Sequence, residues 1–529
     1  MFLCRLIRPA NPPRRVNIYS QFTARTTTFG LVMVASVINK FSNWRVEIID
    51  EENYRGPRGK DGLPDHAVLQ KENPADVVGF YCGLTSTMER VWDLASFYKS
   101  EGIITLAGSW HAHYCPEETL RHNIDLIIHG DAEIEIKNVI KNIEEGSPLW
   151  INGKGISYIW ADNKIVQVDS KGEILADTPD LDEGLINLEN HLSCEELSDS
   201  PYPDFGLIKY AKIKVYPINR IRGCIMNCKF CSVKGGVRFG SPEHLFDIVD
   251  WLVKTREAKN FFIVDDRLEG DILGALRFFE MIAERFGDKL SFTVQMRLEA
   301  INNTELINAM KKAGVEIVCI GLESPIEEEL KAMQKGIAIK KMVEYVRAWR
   351  RYFKVHGMFI FGYPIDNPKD ITPISTKEKV KRFKIFIRQT RLDFIQVLLA
   401  VPAPGTELFR QLKEEGRLFP LSVAPWNKYD GNFVLFKPTE DTKLKDLQTT
   451  NMKIMAWFYS PFSFYKLIYR TCTFPIDYFI RGWNAWLVDF RTESIRWVGH
   501  TIATRWKKAK ESEIHIMAVE AFEKESKKD

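Results

Sequence analysis

Residues 215–231 read VYPINRIRGCIMNCKFC, a short apolar segment followed by a loop that carries Cys224, Cys228 and Cys231. Thiolates are the usual ligands of iron–sulfur clusters, and a cubane cluster with four cysteine ligands has no open coordination position. Three cysteines leave one iron open, and that iron can chelate the amino and carboxylate groups of a bound molecule. Because the three thiols share one loop, a single turn of backbone can wrap three corners of the cube. The stretch therefore predicts a [4Fe–4S] cluster directly after a buried strand.

The same cysteines leave two other interpretations open. Structural zinc normally takes four ligands in two closely spaced pairs, and the sequence has no second pair near this one. Cys194, Cys319 or His244 would have to reach the site from distant parts of the chain. The third interpretation is that the cysteines are unligated core residues, as free cysteine often is. The spacing favours iron and sulfide over both.

Strand and helix patterns alternate around and beyond this loop, from about residue 206 to residue 430. Strands are predicted at Lys214–Ile218, Phe261–Val264, Ser291–Met296, Glu316–Ile320, Val355–Phe361 and Phe394–Leu399, and helices at Glu243–Lys254, Ile272–Phe286, Thr304–Ala313, Ile339–Tyr352 and Lys377–Gln389. Consecutive βα units of this kind predict a partial, TIM-like (β/α)6 barrel, whose chemistry lies at the carboxyl ends of its strands.

The rest of the chain divides into three segments. Residues 1–150 alternate short apolar runs with helical patterns, which predicts a Rossmann-like, doubly wound parallel sheet. Residues 151–205 are irregular and are interpreted as a linker with a small β element. Residues 431–529 are predicted to form a helical region rich in aromatic and basic residues. The predicted fold class is therefore α/β, with a Rossmann-like domain, a barrel domain over 206–430 and a helical C-terminal region.

Composition argues against several classes of protein. The 529 residues include 73 Lys and Arg against 70 Asp and Glu, so the net charge of +3 indicates no general affinity for polyanions. Nine scattered cysteines do not resemble a secreted disulfide framework, and no apolar run reaches the ~18 residues of a membrane-spanning helix. The absence of acidic residues before Glu47 is typical of a transit peptide. Because Phe2–Ile7 already has a strand pattern, we expect a cytoplasmic protein instead.

The cysteine loop and the motifs that follow it resemble the radical SAM superfamily, whose mark is a CxxxCxxC loop after the first barrel strand. The resemblance covers about Val215–Phe409. Further motifs occur in the family's order: Asp265-Asp266, Gln295-Met296-Arg297, Gly321-Leu322-Glu323-Ser324, Lys335-Gly336, Gly362-Tyr363-Pro364 and Pro402-Ala403-Pro404-Gly405-Thr406. The resemblance implies a [4Fe–4S] cluster held by the three cysteines and a bound S-adenosylmethionine (SAM).

The resemblance and the strand positions together give a candidate SAM site. Polar groups at strand ends face the barrel mouth, and the planar guanidinium of Arg297 suits the methionine carboxylate, although it would also fit a plain surface ion pair. Asp265 and Asp266 are neighbours in a strand and point to opposite faces, so only one of them can face the site. The candidate SAM-binding residues are Phe230, Asp266, Gln295, Arg297, Glu323 and Ser324.

The first domain resembles the cobalamin-binding domain that is fused to many radical SAM enzymes. That domain's GGxH, PEE, D and GExE pattern stands here as Ala107-Gly108-Ser109-Trp110-His111, Pro116-Glu117-Glu118, Asp125 and Gly130-Asp131-Ala132-Glu133. Ala107 replaces a glycine and Asp131 a glutamate, and the DxHxxG motif that supplies a histidine to cobalt is absent. The resemblance implies cobalamin at the carboxyl ends of the strands, with candidate residues Gly83, Thr85, Ser86, Gly108, His111, Gly130 and Asp131. A domain that only packs on the barrel is the alternative.

The C-terminal region carries an aromatic stripe in which Trp483, Trp486, Leu487 and Phe490 recur at helical spacing beside several arginines and lysines. Such a stripe usually covers the open side of a barrel. A basic, tryptophan-rich helix can also lie on an anionic membrane surface, and single-stranded nucleic acid is a weaker third interpretation.

These motifs predict a radical SAM enzyme that generates a 5′-deoxyadenosyl radical and, with cobalamin, methylates an unactivated carbon of a small-molecule substrate that is lipid- or tetrapyrrole-like. Such an enzyme needs a reducing electron donor, such as flavodoxin or ferredoxin. A B12-independent radical oxidation or cyclisation is the alternative chemistry. A sensor that binds cobalamin or a cluster without turnover is the non-enzymatic alternative. Peripheral membrane contact through the C-terminal region would accompany a lipid-like substrate, and no nucleic-acid partner is expected.

Overall fold

The computed structural model describes residues 2–11, 26–160, 164–175, 190–365, 374–438 and 444–510. The strands are β1 (Leu3–Arg8), β2 (Arg45–Asp50), β3 (Val77–Tyr81), β4 (Ile104–Gly108), β5 (Leu126–Ile128), β6 (Ile156–Ile159), β7 (Ile165–Val168), β8 (Ile174–Leu175), β9 (Ile208–Lys209), β10 (Tyr216–Ile218), β11 (Ile221–Arg222), β12 (Arg238–Phe239), β13 (Asn260–Ile263), β14 (Ser291–Gln295), β15 (Val315–Glu323), β16 (Lys354–Phe361) and β17 (Phe394–Leu399). The helices are α1 (Phe29–Phe41), α2 (His66–Glu72), α3 (Met88–Ser100), α4 (Trp110–Tyr114), α5 (Pro116–Arg121), α6 (Ala132–Glu144), α7 (Cys194–Ser198), α8 (Pro242–Arg256), α9 (Ile272–Phe286), α10 (Thr304–Lys312), α11 (Glu327–Ala332), α12 (Ile339–Trp349), α13 (Thr376–Thr390), α14 (Glu407–Glu414), α15 (Leu444–Phe458), α16 (Phe462–Cys472) and α17 (Phe474–Lys510).

The N-terminal sheet has the strand order β8-β7-β6-β5-β4-β3-β1-β2-β9. Strands β1 to β5 and β9 are parallel, and the strand order reverses at β1, which pairs with both β2 and β3. The predicted Rossmann-like, doubly wound sheet is therefore confirmed. In such sheets a ligand binds outside the carboxyl ends of the strands, next to the reversal point.

Residues 151–205, which the sequence indicated were a linker with a small β element, supply three strands to this sheet. Strands β6, β7 and β8 pair antiparallel in succession and extend the sheet beyond β5. In β6 the side chains of Ile156 and Tyr158 are buried, so the strand covers an edge that would otherwise expose unpaired backbone groups. Asp162 and Asn163, which lie between β6 and β7 in the sequence, are outside the described residues.

The second sheet has the strand order β10-β13-β14-β15-β16-β17, and every pair in it is parallel. Alternate residues of β16 face opposite sides: Phe359 and Phe361 pack on Phe383 of α13, with ring centroids 5.7 and 5.1 Å apart. The residues between them, Met358 and Ile360, therefore face the interior of the curved sheet. This arrangement confirms the predicted partial (β/α)6 barrel.

The helical C-terminal region packs beside the barrel. Helix α15 lies against β17, where the Tyr459 hydroxyl that follows the helix donates to the carbonyl oxygen of Ile395 at 2.7 Å. Helices α16 and α17 form a hairpin, and the backbone of Gly482 leaves helical geometry at φ 79° and ψ 163°. Among helices in the described part of the chain, none combines the length and the apolar character needed to cross a bilayer.

A fully buried arginine, Arg5 of β1, ties the first sheet to its helices. Its Nε donates to Oε1 of Glu47 at 2.6 Å, and its Nη2 donates to the carbonyl oxygen of Asn73 at 2.6 Å. A further hydrogen bond runs from Nη1 to the hydroxyl of Tyr98 at 3.1 Å. The guanidinium thus satisfies groups from β2, the end of α2 and α3, and it neutralises the buried Glu47 carboxylate.

We predict that Arg5→Met destabilises the N-terminal domain by about 3–5 kcal/mol, because the buried Glu47 charge loses its partner. The measurement is the guanidinium chloride unfolding midpoint, followed by circular dichroism. Arg45→Met is the matched control, since Arg45 is exposed at the start of β2, and it should leave the midpoint unchanged. Equal midpoints for the two variants would show that the Arg5 network contributes little.

Candidate functional site

Two adjacent carboxylates at the carboxyl end of β13 hold the start of the cysteine loop. Asp265 is buried, and its Oδ1 accepts from the backbone nitrogens of Arg220 and Ile221 at 2.6 and 3.0 Å. Asp266 accepts from the backbone nitrogen of Gly223 at 2.8 Å. Burial raises the pKa of Asp265 to about 6. Both carboxylates therefore position the backbone that leads into the loop, Asp265 at Arg220 and Ile221 and Asp266 at Gly223.

Gly223 is required where the chain enters the cysteine loop. Its φ of +86° lies in the region that favours glycine, and a Cβ there would collide with the carbonyl oxygen of Gly236. The ribbon of β11 and β12 brings these two glycines together, because Arg222 pairs with Arg238 across it. The loop therefore leaves the ribbon in one fixed direction.

The cysteine loop is anchored to the barrel from several sides. The backbone nitrogen of Cys231 donates to the carbonyl oxygen of Cys228 at 3.1 Å, which forms a turn. Lys229 donates its backbone nitrogen to the carbonyl oxygen of Met333 and accepts at its own carbonyl oxygen from the backbone nitrogen of Leu408. The Nζ of Lys234 donates to the carbonyl oxygen of Cys228 at 3.0 Å. The three thiols thus sit on a loop whose backbone is fixed by its surroundings.

The surroundings of the three thiols are compatible with cluster ligands, which lose their protons when a metal binds. Cys228 is buried and Cys224 and Cys231 are partly exposed, so one side of the loop stays open. Burial raises the pKa of Cys231, and the neighbouring thiols Cys228 and Cys224 raise it further. Iron replaces the thiol proton on binding, so a high pKa in the unloaded protein is compatible with a cluster site. Three thiols on one fixed loop fit a cubane cluster with one open iron.

Glu323 and Ser324, two of the candidate SAM residues, are engaged in bonds within the protein. Glu323 has a φ of +59°, and its Oε1 accepts from Nζ of Lys335 at 2.9 Å. Burial alone would lower the pKa of Lys335, but Glu323 raises it above its ordinary value. Ser324 is fully buried and donates its hydroxyl to Glu329. Lys335, which the sequence gave only as part of a motif, therefore joins the site through Glu323.

The remaining candidate SAM residues lie around the barrel mouth. Gln295 ends β14 on the inward-facing row, half-buried. Arg297 follows it and pairs with Glu299 at 3.2 Å, so its guanidinium has a surface partner within its own segment. Phe230 lies edge-on to Tyr363 with ring centroids 6.4 Å apart. The structure thus brings Phe230 beside the residues that follow β16.

A cleft of about 460 Å³ lies between the carboxyl edge of the first sheet and the cysteine loop. The first domain contributes one wall and the cysteine loop with its ribbon contributes the other. The wall of the first domain includes Thr27, Thr28, Gly30, Ser109, Trp110, His113, Gly130 and Asp131, and the opposite wall includes Arg222, Gly223, Val233, Lys234, Arg238 and Asp266. An adjoining, mostly apolar pocket of about 180 Å³ runs deeper into the first domain beside Gly108 and Gly130.

A set of ion pairs fixes the two walls of this cleft to each other. Arg222 Nη1 lies 2.6 Å from Oδ1 of Asp131, and its Nη2 lies 2.6 Å from Oε1 of Glu133. Arg238 adds a second contact to Asp131. Burial alone would raise the pKa of Asp131, but Arg222 and Arg238 lower it. These ion pairs therefore fix the first domain to the ribbon of β11 and β12, which leads into the cysteine loop.

The candidate cobalamin residues separate into two groups. Gly108, Gly130 and Asp131 line the cleft or its deeper pocket. Gly83, Thr85, Ser86 and His111 are not among the lining residues in the described part of the chain. His111 is buried, with Nδ1 3.4 Å from the Thr85 hydroxyl and its ring edge-on to Trp426 at 5.0 Å. Thr85, Ser86 and His111 pack against the segment around Trp426, between α14 and α15, and so help to hold the first domain on the barrel.

Thr27, Thr28 and Gly30, at the start of α1, are residues of the cleft that sequence reasoning missed. The Thr27 and Thr28 hydroxyls are buried and have no hydrogen-bond partner within the described residues. No atom lies within 4 Å of a Cβ built on Gly30, so the cleft is open there. The sequence could have indicated them, because the segment between β1 and α1 starts at the same edge of the sheet as the loops that follow the other parallel strands. Unsatisfied hydroxyls and open space beside a glycine fit a large polar cofactor such as cobalamin.

The chain has relatives of known family and solved structures of the same fold. A family model described as the radical SAM superfamily matches residues 218–375. An uncharacterized methyltransferase of Pyrococcus horikoshii is 25% identical over 470 residues, 86% of this chain and 92% of the relative. Bacteriochlorophyllide d C-12(1)-methyltransferase of Chlorobaculum tepidum is 24% identical over 437 residues, 81% of each chain.

The structure of the cobalamin-dependent SAM radical enzyme OxsB with aqua-cobalamin bound superposes with a TM-score of 0.60 at 14% identity, covering 98% of this chain and 84% of that one. At this identity the likeness shows the fold, and the fold includes both the Rossmann-like domain and the barrel. The family match and the curated relatives confirm that the protein is an enzyme and set aside the non-catalytic sensor. Residues 218–375 therefore match the radical SAM superfamily, whose cofactors are a [4Fe–4S] cluster and SAM.

Proposed function

We propose that this enzyme methylates an unactivated carbon of a hydrophobic, lipid- or tetrapyrrole-like substrate, with cobalamin as a third cofactor. The observation that carries the proposal is the cleft in which the carboxyl edge of the first sheet faces the cysteine loop. A corrinoid in that cleft would lie beside the site where SAM is cleaved. The hopanoid C-2 methylase of Rhodopseudomonas palustris is 26% identical over 227 residues, 41% of this chain and 41% of that protein, and supports the same class of substrate.

The side chains of this protein have the tasks of binding, orienting and excluding water. When bound, the reduced cluster and SAM supply a 5′-deoxyadenosyl radical and cobalamin supplies the methyl group. We assign Cys224, Cys228 and Cys231 as the cluster ligands. We keep Phe230, Asp266, Gln295, Arg297, Glu323 and Ser324 as the proposed SAM residues, with Asp266 and Ser324 acting through the backbone that they hold.

The interior of the barrel favours an apolar substrate. On the inward-facing row of β16 the two residues nearest the mouth are Met358 and Ile360, and Leu398 of β17 faces inward beside them. His356 lies deeper on the same row, and burial lowers its pKa to about 4, so it is neutral at physiological pH. The inward-facing side chains of Met358, Ile360 and Leu398 are apolar, and this part of the lumen disfavours a charged reacting group.

The electron for SAM cleavage has to come from outside the chain. We propose flavodoxin or ferredoxin as the donor, since both deliver single electrons at low potential. All nine cysteines are unpaired, which fits a reducing compartment such as the cytoplasm. Contact with a membrane through the C-terminal hairpin is argued separately below.

The first test concerns the cluster. We predict that Cys228→Ala loses cluster assembly and reductive SAM cleavage, because two thiols on the loop cannot hold the cubane. The measurements are iron and sulfide content and the yield of 5′-deoxyadenosine after anaerobic reconstitution. Cys472→Ala is the matched control, since Cys472 is exposed on α16, and it should behave as the wild type. A loaded and active Cys228→Ala variant would overturn the ligand assignment.

The second test concerns cobalamin and uses Gly30. We predict that Gly30→Trp lowers the affinity for hydroxocobalamin at least ~10-fold, a change of about 1.4 kcal/mol, because the indole projects into open space in the cleft. Gly30→Ala, which adds one methyl group, is the control and should retain the corrinoid. The measurement is corrinoid absorbance per chain after desalting.

Cluster content and SAM cleavage should be the same in both Gly30 variants. Wild-type protein that binds no corrinoid but still cleaves SAM would contradict the cobalamin proposal and leave a B12-independent radical oxidation or cyclisation. Equal corrinoid retention in Gly30→Trp would place the cofactor outside this cleft.

A further inference from the structure

The hairpin of α16 and the first part of α17 exposes two apolar faces. On α16 the exposed face carries Phe462, Tyr465, Ile468 and Tyr469. On α17 it carries Ile476, Phe479 and Ile480, at positions i, i+3 and i+4, with Phe479 84% and Ile480 76% exposed, and Trp483 follows just beyond the kink at Gly482. Apolar residues at helical spacing normally face a partner. Within the described residues, the α16 face and Ile476, Phe479 and Ile480 of α17 are exposed, whereas Trp483 also contacts Phe474 and Trp486.

The opposite side of the hairpin is well packed, so the exposed faces are not a consequence of a loose structure. Trp486 stacks on Phe490 with ring centroids 4.9 Å apart and contacts Phe474 at 4.8 Å. Its Nε1 donates to the carbonyl oxygen of Arg470 at 2.8 Å. Most of the stripe that the sequence singled out thus packs within the hairpin, and of its tryptophans Trp483 alone belongs to the exposed face.

The charge of this region suits an anionic partner. Residues 447–488 contain four basic residues, Lys453, Lys466, Arg470 and Arg481, and one acidic residue, Asp477, and Arg470 also pairs with Asp489 at 3.2 Å. The exposed faces also include Tyr465, Tyr469, Tyr478 and Trp483, whose rings have an apolar body and a polar end. Such rings are enriched where a bilayer meets water. A basic, aromatic surface of two amphipathic helices is the composition expected for the interfacial layer of an anionic membrane.

A second copy of the chain fits this surface less well. A two-fold interface places each patch against itself, so the basic patch that includes Lys466 would meet a second copy of itself. The excess of basic residues would then oppose association. Anionic lipid headgroups provide the missing counter-charge.

The hairpin lies at the end of the barrel opposite to the mouth. Arg496 of α17 donates to the carbonyl oxygens of Leu392 and Asp393, just before β17 begins. Lys354, the first residue of β16, pairs with Asp489 at 3.6 Å. The amino ends of parallel strands are roughly 25 Å from their carboxyl ends at this strand length. A membrane bound by the hairpin would therefore contact the base of the barrel.

We propose that the exposed faces of α16 and the first part of α17 dock this enzyme on an anionic membrane surface, with the barrel mouth directed away from the bilayer. The hairpin is then an anchor and does not deliver substrate into the barrel. Loss of membrane docking should therefore leave SAM cleavage intact. A failure of this proposal can thus be told apart from a failure of the proposed function.

The test is co-sedimentation of the full chain, with its cluster, with vesicles of phosphatidylcholine alone or mixed with phosphatidylglycerol. The wild type should sediment with the mixed vesicles and weakly with phosphatidylcholine. The double variant Phe479→Glu, Ile480→Glu should lower the partition coefficient at least ~10-fold, since two large apolar side chains no longer enter the interface. Leu273→Glu, at a position 78% exposed on α9, is the matched control and should bind as the wild type.

Two further measurements keep the test decisive. Lys466→Glu should reduce binding to the mixed vesicles while leaving weak binding to phosphatidylcholine unchanged, because it removes attraction to the anionic headgroups alone. SAM cleavage should be equal in wild type and double variant, which also shows that the variant is folded. A wild type that stays in the supernatant, or a double variant that sediments equally well, would overturn the proposal. So would light scattering that shows a wild-type dimer and a monomeric double variant, neither of which binds vesicles.

Discussion

The pairing of Arg222 with Asp131 and Glu133 is the interaction on which the geometry of the site depends. Arg222 belongs to the two-residue strand that leads into the cysteine loop, and both carboxylates lie at the carboxyl edge of the first sheet. The planar guanidinium meets two acceptors in a fixed fork, which fixes direction as well as distance. Together with the Arg238–Asp131 pair, this contact fixes the cleft directly beside the cysteine loop.

Two adjacent carboxylates that follow β13 hold the backbone at the start of the cysteine loop. Asp265 and Asp266 follow β13, which ends at Ile263, and both accept from the backbone that leads into the cysteine loop. Asp265 accepts from two backbone nitrogens before Arg222, and Asp266 accepts from the one directly after it. The loop is thereby held on both sides of the residue that also binds the first domain. The loop, the ribbon and the interdomain ion pairs thus form one connected network.

The barrel has different partners at its two ends. At the carboxyl ends of the strands, polar and apolar side chains line a lumen that opens toward the cysteine loop. At the amino ends, Arg496 and Asp489 of α17 satisfy backbone and side-chain groups of the strand starts. Chemistry at one end and attachment at the other can therefore change independently, because few contacts are shared between them.

The sequence by itself determined the two α/β units, the cysteine loop and the order of the strand-end motifs. These features depend on spacing within a few residues: apolar periodicity predicts a strand or helix, and three thiols on one loop predict a cluster. Only the tertiary structure decided that Asp131 binds Arg222, some ninety residues away along the chain, that His111 packs on Trp426, and that Thr27 and Thr28 line the cleft. It also decided that β6, β7 and β8 extend the first sheet and that Trp486 packs inward while Phe479 is exposed. The physical reason is that a local pattern shows that a face needs a partner, whereas the identity of that partner depends on how distant elements pack together.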